Sequence, residues 1–186
     1  MGNFNNRVKI AVVGGGQLGR MLQTKAYSYG LDLAFLDPDR HAPSSALSSW
    51  FYKGSLQDEE LVYDLGRNRD IITIEIENIN VNALKRLEKE GKKVFPQPHV
   101  IELIQDKALQ KQFFVDHQIP TSRFYALSGK HELVLHKDDL PFMQKMRKGG
   151  YDGRGVVAIK SEKDFDKGFE VPSIVEKFVD FKKELS

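Results

Sequence analysis

Short apolar runs alternate along this chain with stretches whose apolar residues recur every three or four positions. Val8 to Val13 (VKIAVV) is nearly continuous and rich in β-branched residues. That pattern predicts a strand buried on both faces, as in a parallel sheet. It ends at Gly14-Gly15-Gly16. From Gln17 to Tyr29 the apolar Leu18, Met21, Leu22 and Ala26 fall at helical spacing, and Gly30 is expected to cap the end. Leu33 to Leu36 and Phe51-Tyr52 read as strands, with Trp50, Phe51 and Tyr52 expected to pack beneath the sheet edge. Asp58 to Leu65 reads as a helix with acids at its N-terminus, and Asp70 to Ile76 as another strand. Asn80 is placed to cap a helix from Val81 to Glu90, closed by Gly91, before a strand at Lys93 to Phe95. A strand roughly every 20 residues, separated by helices, predicts an α/β unit with a doubly wound parallel sheet. This first domain is assigned residues 1–98.

The texture changes after Pro98. Val100 to His117 reads as a long helical stretch broken near Gln105-Asp106. Strand-like pieces follow at Arg123 to Leu127, Pro141 to Met146, Val156 to Ile159 and Ser173 to Phe178, with a short helix expected at Asp164 to Phe169. This α+β pattern is assigned to a second domain, residues 99–186. Glu184-Leu185-Ser186 reads as the opening of a further strand, so the chain is expected to be part of a longer one.

Composition adds exclusions. The 186 residues carry 28 basic and 26 acidic side chains, a net charge of +2, too small for nucleic acid or a membrane surface as a bulk partner. The chain has no cysteine, which removes disulfides, thiolate nucleophiles and zinc–thiolate sites and fits a cytoplasmic location. The five histidines show no metal-ligand spacing. The N-terminus lacks an apolar targeting core, and no apolar run reaches the length of a membrane span.

Two glycine motifs carry the candidate chemistry. Gly14-Gly15-Gly16-Gln17-Leu18-Gly19 matches G-x-G-x-x-G between a strand and a helix, with Asp37 at the end of the next strand. Glycines permit the tight turn, and free N–H groups at the helix start attract an anion. The motif alone leaves three readings open: NAD, another phosphate-bearing ligand, or a plain strand-to-helix turn. Lys145 to Gly155 (KMRKGGYDGRG) is a glycine-rich hairpin with a basic stem. Its backbone N–H groups can line a phosphate chain and its cations can offset the charge, although no G-K-[ST] closes it as in a Walker A loop. A solvated basic hairpin is the competing reading. Glu75 and Glu77, two apart, are expected on one face of a strand, as substrate contacts or as a solvated rim.

GGGQLGRM (Gly14 to Met21), IEIEN (Ile74 to Asn78), DKALQK (Asp106 to Lys111), KMRKGGYDGRG and VEKFVDFKKELS (Val175 to Ser186) occur in this order. Together they resemble the N5-carboxyaminoimidazole ribonucleotide synthetases of the ATP-grasp superfamily, over essentially the whole chain. The resemblance implies a pre-ATP-grasp substrate domain followed by the first half of an ATP-grasp domain. It implies ATP contacts at Lys107, Lys145, Gly150, Gly153, Arg154, Gly155, Val156, Glu176, Lys177, Phe178, Val179 and Glu184. Glu176 would take the adenine amine, and Glu184 the ribose hydroxyls. Aminoimidazole ribonucleotide would meet Gln17, Leu18, Glu75 and Asn78, while Tyr151 and Asp152 would face the reacting amine and the carboxylating intermediate. ATP, Mg²⁺ and bicarbonate are the implied cofactor, metal and co-substrate, and a homodimer the implied assembly. The Mg²⁺ ligands are expected from a second subdomain, so these 186 residues alone are expected not to turn over. Lys107 stands where many members carry Arg, and Ile76 where many carry Phe.

Three rivals remain at this stage. One is the sister formate-dependent glycinamide ribonucleotide transformylase. Another is an NAD-binding oxidoreductase resting on Gly14 to Gly19 and Asp37. The third is a non-catalytic nucleotide-binding module.

Overall fold

The computed structural model describes residues 8–150 and 153–183, which leaves Tyr151, Asp152 and Glu184 outside the described residues. The chain divides into two compact units, Met1–Glu102 and Leu103–Ser186.

The first unit is a parallel five-stranded sheet ordered β3-β2-β1-β4-β5. Its strands are β1 (Ile10–Val13), β2 (Ala34–Asp37), β3 (Trp50–Lys53), β4 (Ile71–Ile74) and β5 (Lys93–Phe95). Helices α1 (Gln17–Tyr27), α2 (Glu59–Arg67) and α3 (Val81–Lys89) connect them. The apolar run that predicts β1 is buried on both faces. Ala11 and Val13 enter a core with Leu36, Val62, Ile72, Leu84 and Leu87. Val12 enters a second core with Ala26, Leu33 and Phe35. Asp58 caps α2 by accepting from the Glu60 and Leu61 N–H groups, and Asn80 caps α3 by accepting from Ala83. Strand order reverses at the neighbours β1 and β4. In open α/β sheets the crevice beyond the C-terminal ends of such a pair is where ligands bind.

Four expectations in this unit are corrected. Of the apolar residues at helical spacing on α1, Leu18 and Met21 are 63% and 59% exposed, and only Ala26 is buried, beside Gly19 and Gln23. The helix packs too closely for large residues there, since a Cβ on Gly19 would lie 3.1 Å from the Phe35 ring. Helix α1 is capped by Ser28, and Gly30 follows at φ +68° in the turn that returns the chain. Strand β4 stops at Ile74, so Glu75 and Glu77 lie in the following loop and not on a strand face. Trp50 and Tyr52 are exposed on edge strand β3, and the Arg69 guanidinium lies 5.7 Å from the Trp50 ring centroid.

The second unit begins within α4 (Pro98–Gln105), continues into α5 (Lys107–Asp116), and adds an antiparallel sheet ordered β6-β9-β7-β8. These strands are β6 (Phe124–Leu127), β7 (Phe142–Met146), β8 (Val156–Ile159) and β9 (Ser173–Lys177). Phe142, Ile159 and Val175 on one face pack with Leu133 and Phe165 from two 3₁₀ segments, Lys130–Asp139 and Glu162–Lys167. The second segment replaces the short helix expected slightly later. It is held by a capping box between Ser161 and Asp164. Register puts Lys145, Val156, Ile174, Glu176 and Phe124 together on the opposite face.

Candidate functional site

The first site is the loop after β1. Gly14 has φ +100°, a conformation side chains resist, and its N–H donates to the Leu36 carbonyl at 2.9 Å. Gly15 N–H donates to Asp37 Oδ2 at 2.8 Å, while Asp37 Oδ1 accepts from Asp39 N–H at 2.9 Å. Asp37 therefore braces its own loop and is not held out for a ribose. The Glu75 carboxylate lies against the other side of the glycines. A Cβ on Gly16 would fall 2.7 Å from Glu75 Oε1, and one on Gly14 would fall 2.9 Å from Oε2. The helix start, attractive to anions through its N–H groups and macrodipole, thus has a protein carboxylate beside it. A dinucleotide would bring its pyrophosphate to this point, against that negative charge. The structure disfavours the NAD reading on both counts.

Gln17 opens α1 and is exposed beside Leu18, so both stand at the mouth of this loop. Asn78 lies in the same loop as Glu75, and its side-chain oxygen accepts from Gln57 Nε2 at 2.9 Å. The structure thus brings Glu75 to the Gly14–Gly16 loop and holds Asn78 through Gln57, a residue the sequence reading did not single out.

The second site is the β7–β8 hairpin and the strand beside it. Gly149, Gly153 and Gly155 all take positive φ, at +76°, +77° and +72°. Met146 N–H donates to the Gly155 carbonyl at 2.8 Å and closes the stem. A Cβ on Gly150 would lie 2.9 Å from the Arg154 carbonyl and 3.7 Å from Lys107 Nζ, so the Lys107 ammonium sits beside the glycine loop. Lys107 N–H donates to the Arg147 carbonyl at 3.0 Å. Lys145, on β7, forms an ion pair with Glu176 Oε1 on β9. Glu176 Oε2 meets Lys111 Nζ at 2.9 Å and accepts from Ser122 Oγ at 3.0 Å. Burial pushes the Glu176 carboxyl up, but the hydrogen bonds and charges of Lys145 and Lys111 outweigh it and hold the group below the usual range.

Beneath this cluster Asp106 is 3% exposed. It caps α5 and takes a bidentate fork from Arg147, at 2.9 Å from Nε and 2.6 Å from Nη2. Burial pushes its carboxyl up, and the Arg147 hydrogen bond with the two cap N–H groups brings it below the ordinary carboxylate value. The sequence reading missed Asp106, Lys111 and Arg147 as a set. A lysine and an acid five positions apart give no signal of mutual burial, although both lie inside the DKALQK motif.

The Lys177 and Phe178 N–H groups donate to the Arg123 and Pro141 carbonyls at 3.0 and 3.4 Å. Val179 is exposed beyond them. Glu176, Lys177 and Phe178 also line a cavity of about 440 Å³ with Arg123, Tyr125 and Pro141.

A switch-point loop closed by an acid, and a glycine hairpin over clustered lysines, mark an α/β protein with a candidate ligand site in each unit. The chain belongs to the ribonucleotide synthetase preATP-grasp domain family, which it matches over residues 7–105, and residues 112–186 match the ATP-grasp domain. It is 37% identical over 187 residues to a phosphoribosylaminoimidazole carboxylase of Candida glabrata, covering 95% of this chain and 33% of that one. N5-carboxyaminoimidazole synthetase from Staphylococcus aureus, solved with ADP, superposes with a TM-score of 0.87 at 32% identity, covering 97% of this chain and 51% of that one. The Aspergillus clavatus N5-carboxyaminoimidazole synthase, solved with ADP and 5-aminoimidazole ribonucleotide, gives 0.84 at 30% identity over 95% of this chain and 48% of that one. The chain therefore spans a third to a half of the relatives it matches.

Proposed function

We propose that this chain is the N-terminal part of an ATP-dependent ligase that carboxylates 5-aminoimidazole ribonucleotide in purine biosynthesis. Residues 1–98 receive the ribonucleotide, and residues 99–186 form the first half of the ATP-grasp domain. The observation that carries the reading is the pairing of the two sites. Glu75 at the first glycine loop suits an amine or hydroxyl donor, whereas Lys107 and Lys145 at the second suit phosphates.

In the proposed reaction a bicarbonate oxygen attacks the γ-phosphorus of ATP, releasing ADP and forming carboxyphosphate. Loss of phosphate yields CO₂, which bonds to the exocyclic amine nitrogen of the ribonucleotide as that nitrogen gives up a proton. Tyr151 and Asp152, outside the described residues, are assigned to face that amine. Mg²⁺ would neutralise charge on the phosphates. Among the described residues no group of three or more His, Asp or Glu side chains is placed to hold a metal, so no step is assigned to it here. The complete protein is proposed to be a cytoplasmic homodimer. No helix among the described residues is long and apolar enough to cross a membrane.

The test is ADP release by the intact protein with Mg·ATP, the ribonucleotide and bicarbonate, each omitted in turn. Release that needs all three and is lost in Asp152→Ala is the expected result. Release only with glycinamide ribonucleotide and formate would overturn it in favour of the sister transformylase.

A further inference from the structure

Lys111 is a buried cation outside every role assigned so far. It projects from α5 and its side chain is 10% exposed. An ammonium has three N–H donors. Here they meet Thr121 Oγ1 at 2.6 Å, Ser122 Oγ at 2.7 Å and Glu176 Oε2 at 2.9 Å. Every donor is used, so Lys111 cannot turn to another anion without leaving a buried bond unmade, a costly exchange. It pins α5, the segment before β6, and β9 to one point.

The two oxygens of Glu176 are therefore unequal. Oε2 is clamped by Lys111 and by Ser122 Oγ. Oε1 is paired with Lys145, whose side chain is 30% exposed on the face that carries the glycine hairpin stem. Lys145 is the partner with room to leave. A polyanion arriving at the hairpin would draw its ammonium away and open Oε1.

We infer that Lys111 is the positioning residue for Glu176: it fixes the carboxylate through Oε2 so that Oε1, released by Lys145, is aimed at a ligand amine. The inference rests on the nucleotide reading above. It adds that phosphate capture and base recognition at this site are coupled, because one lysine stays and the other departs.

The experiment compares affinities of the intact protein for ATP and for purine riboside triphosphate, which lacks the exocyclic amine, by titration calorimetry. Wild type is expected to favour ATP by about tenfold, the size of one hydrogen bond to a charged acceptor. Lys111→Met, which keeps the stem and removes the charge, is expected to cut that ratio to about twofold. Ser122→Ala, which removes one bond to Oε2 and keeps the cation, is expected to lower it to about fivefold, and decides the matter if Lys111→Met does not fold. A ratio unchanged from wild type in the folded variants would overturn the positioning role while leaving nucleotide binding intact. Failure of wild type to bind either triphosphate would overturn the nucleotide reading, and this inference with it.

Discussion

At the scale of single residues, Asp106 does two jobs with one carboxylate. It caps α5 and takes the Arg147 fork. Asp106→Ala would leave the guanidinium, itself only 32% exposed, without its counter-charge and the helix without its cap. Losing the cap and leaving a partly exposed cation unpaired costs about 2–3 kcal/mol. Amide exchange of β7 and β9 should report that loss as reduced protection. The same group predicts a pH effect. Its folded-state pKa lies below its unfolded value, as does that of Glu176. Stability from both is complete above the unfolded values, about 4 for such carboxyls, and is lost as pH falls through the folded ones. Urea midpoints of residues 103–186 should be flat near neutrality and drop below about pH 4, with a shallower drop in Asp106→Asn. A midpoint independent of pH down to 3 would show that neither carboxylate is coupled to folding.

At the scale of elements, the β7–β8 hairpin depends on glycine where it is tightest. Gly155 has positive φ, and a Cβ there would lie 3.0 Å from Met146 Sδ and 3.1 Å from the Gly150 Cα. Gly155→Ala should open the loop while leaving the sheet beneath it folded. ATP affinity should fall about tenfold or more, with the thermal midpoint moving by only a few degrees. Much of this element level was legible in the chain. β-Branched runs marked β1 and β4, Asp58 and Asn80 announced α2 and α3, and the glycine spacing announced the hairpin. What failed has a physical cause in each case. Helix α1 turns its large apolar residues outward because its sheet-facing side must be small enough for Gly19 to meet Phe35. The Lys130–Asp139 segment carries no helical period, because a 3₁₀ turn repeats every three residues and buries only Leu133. Lys111 was passed over because a lysine in a polar helix looks solvated, and only the fold brings Thr121, Ser122 and Glu176 to it. The Glu75–glycine contact was equally hidden, since it depends on β4 ending where it does.

At the scale of the whole molecule, each unit has a core of its own, and each carries one of the two candidate sites. The chain spans about half of the solved relatives it matches. The 186 residues alone are therefore expected to release no ADP in the presence of ATP, ribonucleotide and bicarbonate. Turnover by the isolated chain would show that it holds a complete catalytic apparatus. The first unit has a further consequence for selectivity among cellular metabolites. Its strand order and glycine spacing are those of a sheet that accepts dinucleotides, and nothing in its backbone forbids them. Glu75 stands at that entrance with a charge that repels pyrophosphate and welcomes a hydrogen-bond donor. Under the proposed function, that one carboxylate would keep the cradle clear of free dinucleotides, whose pyrophosphate it would repel.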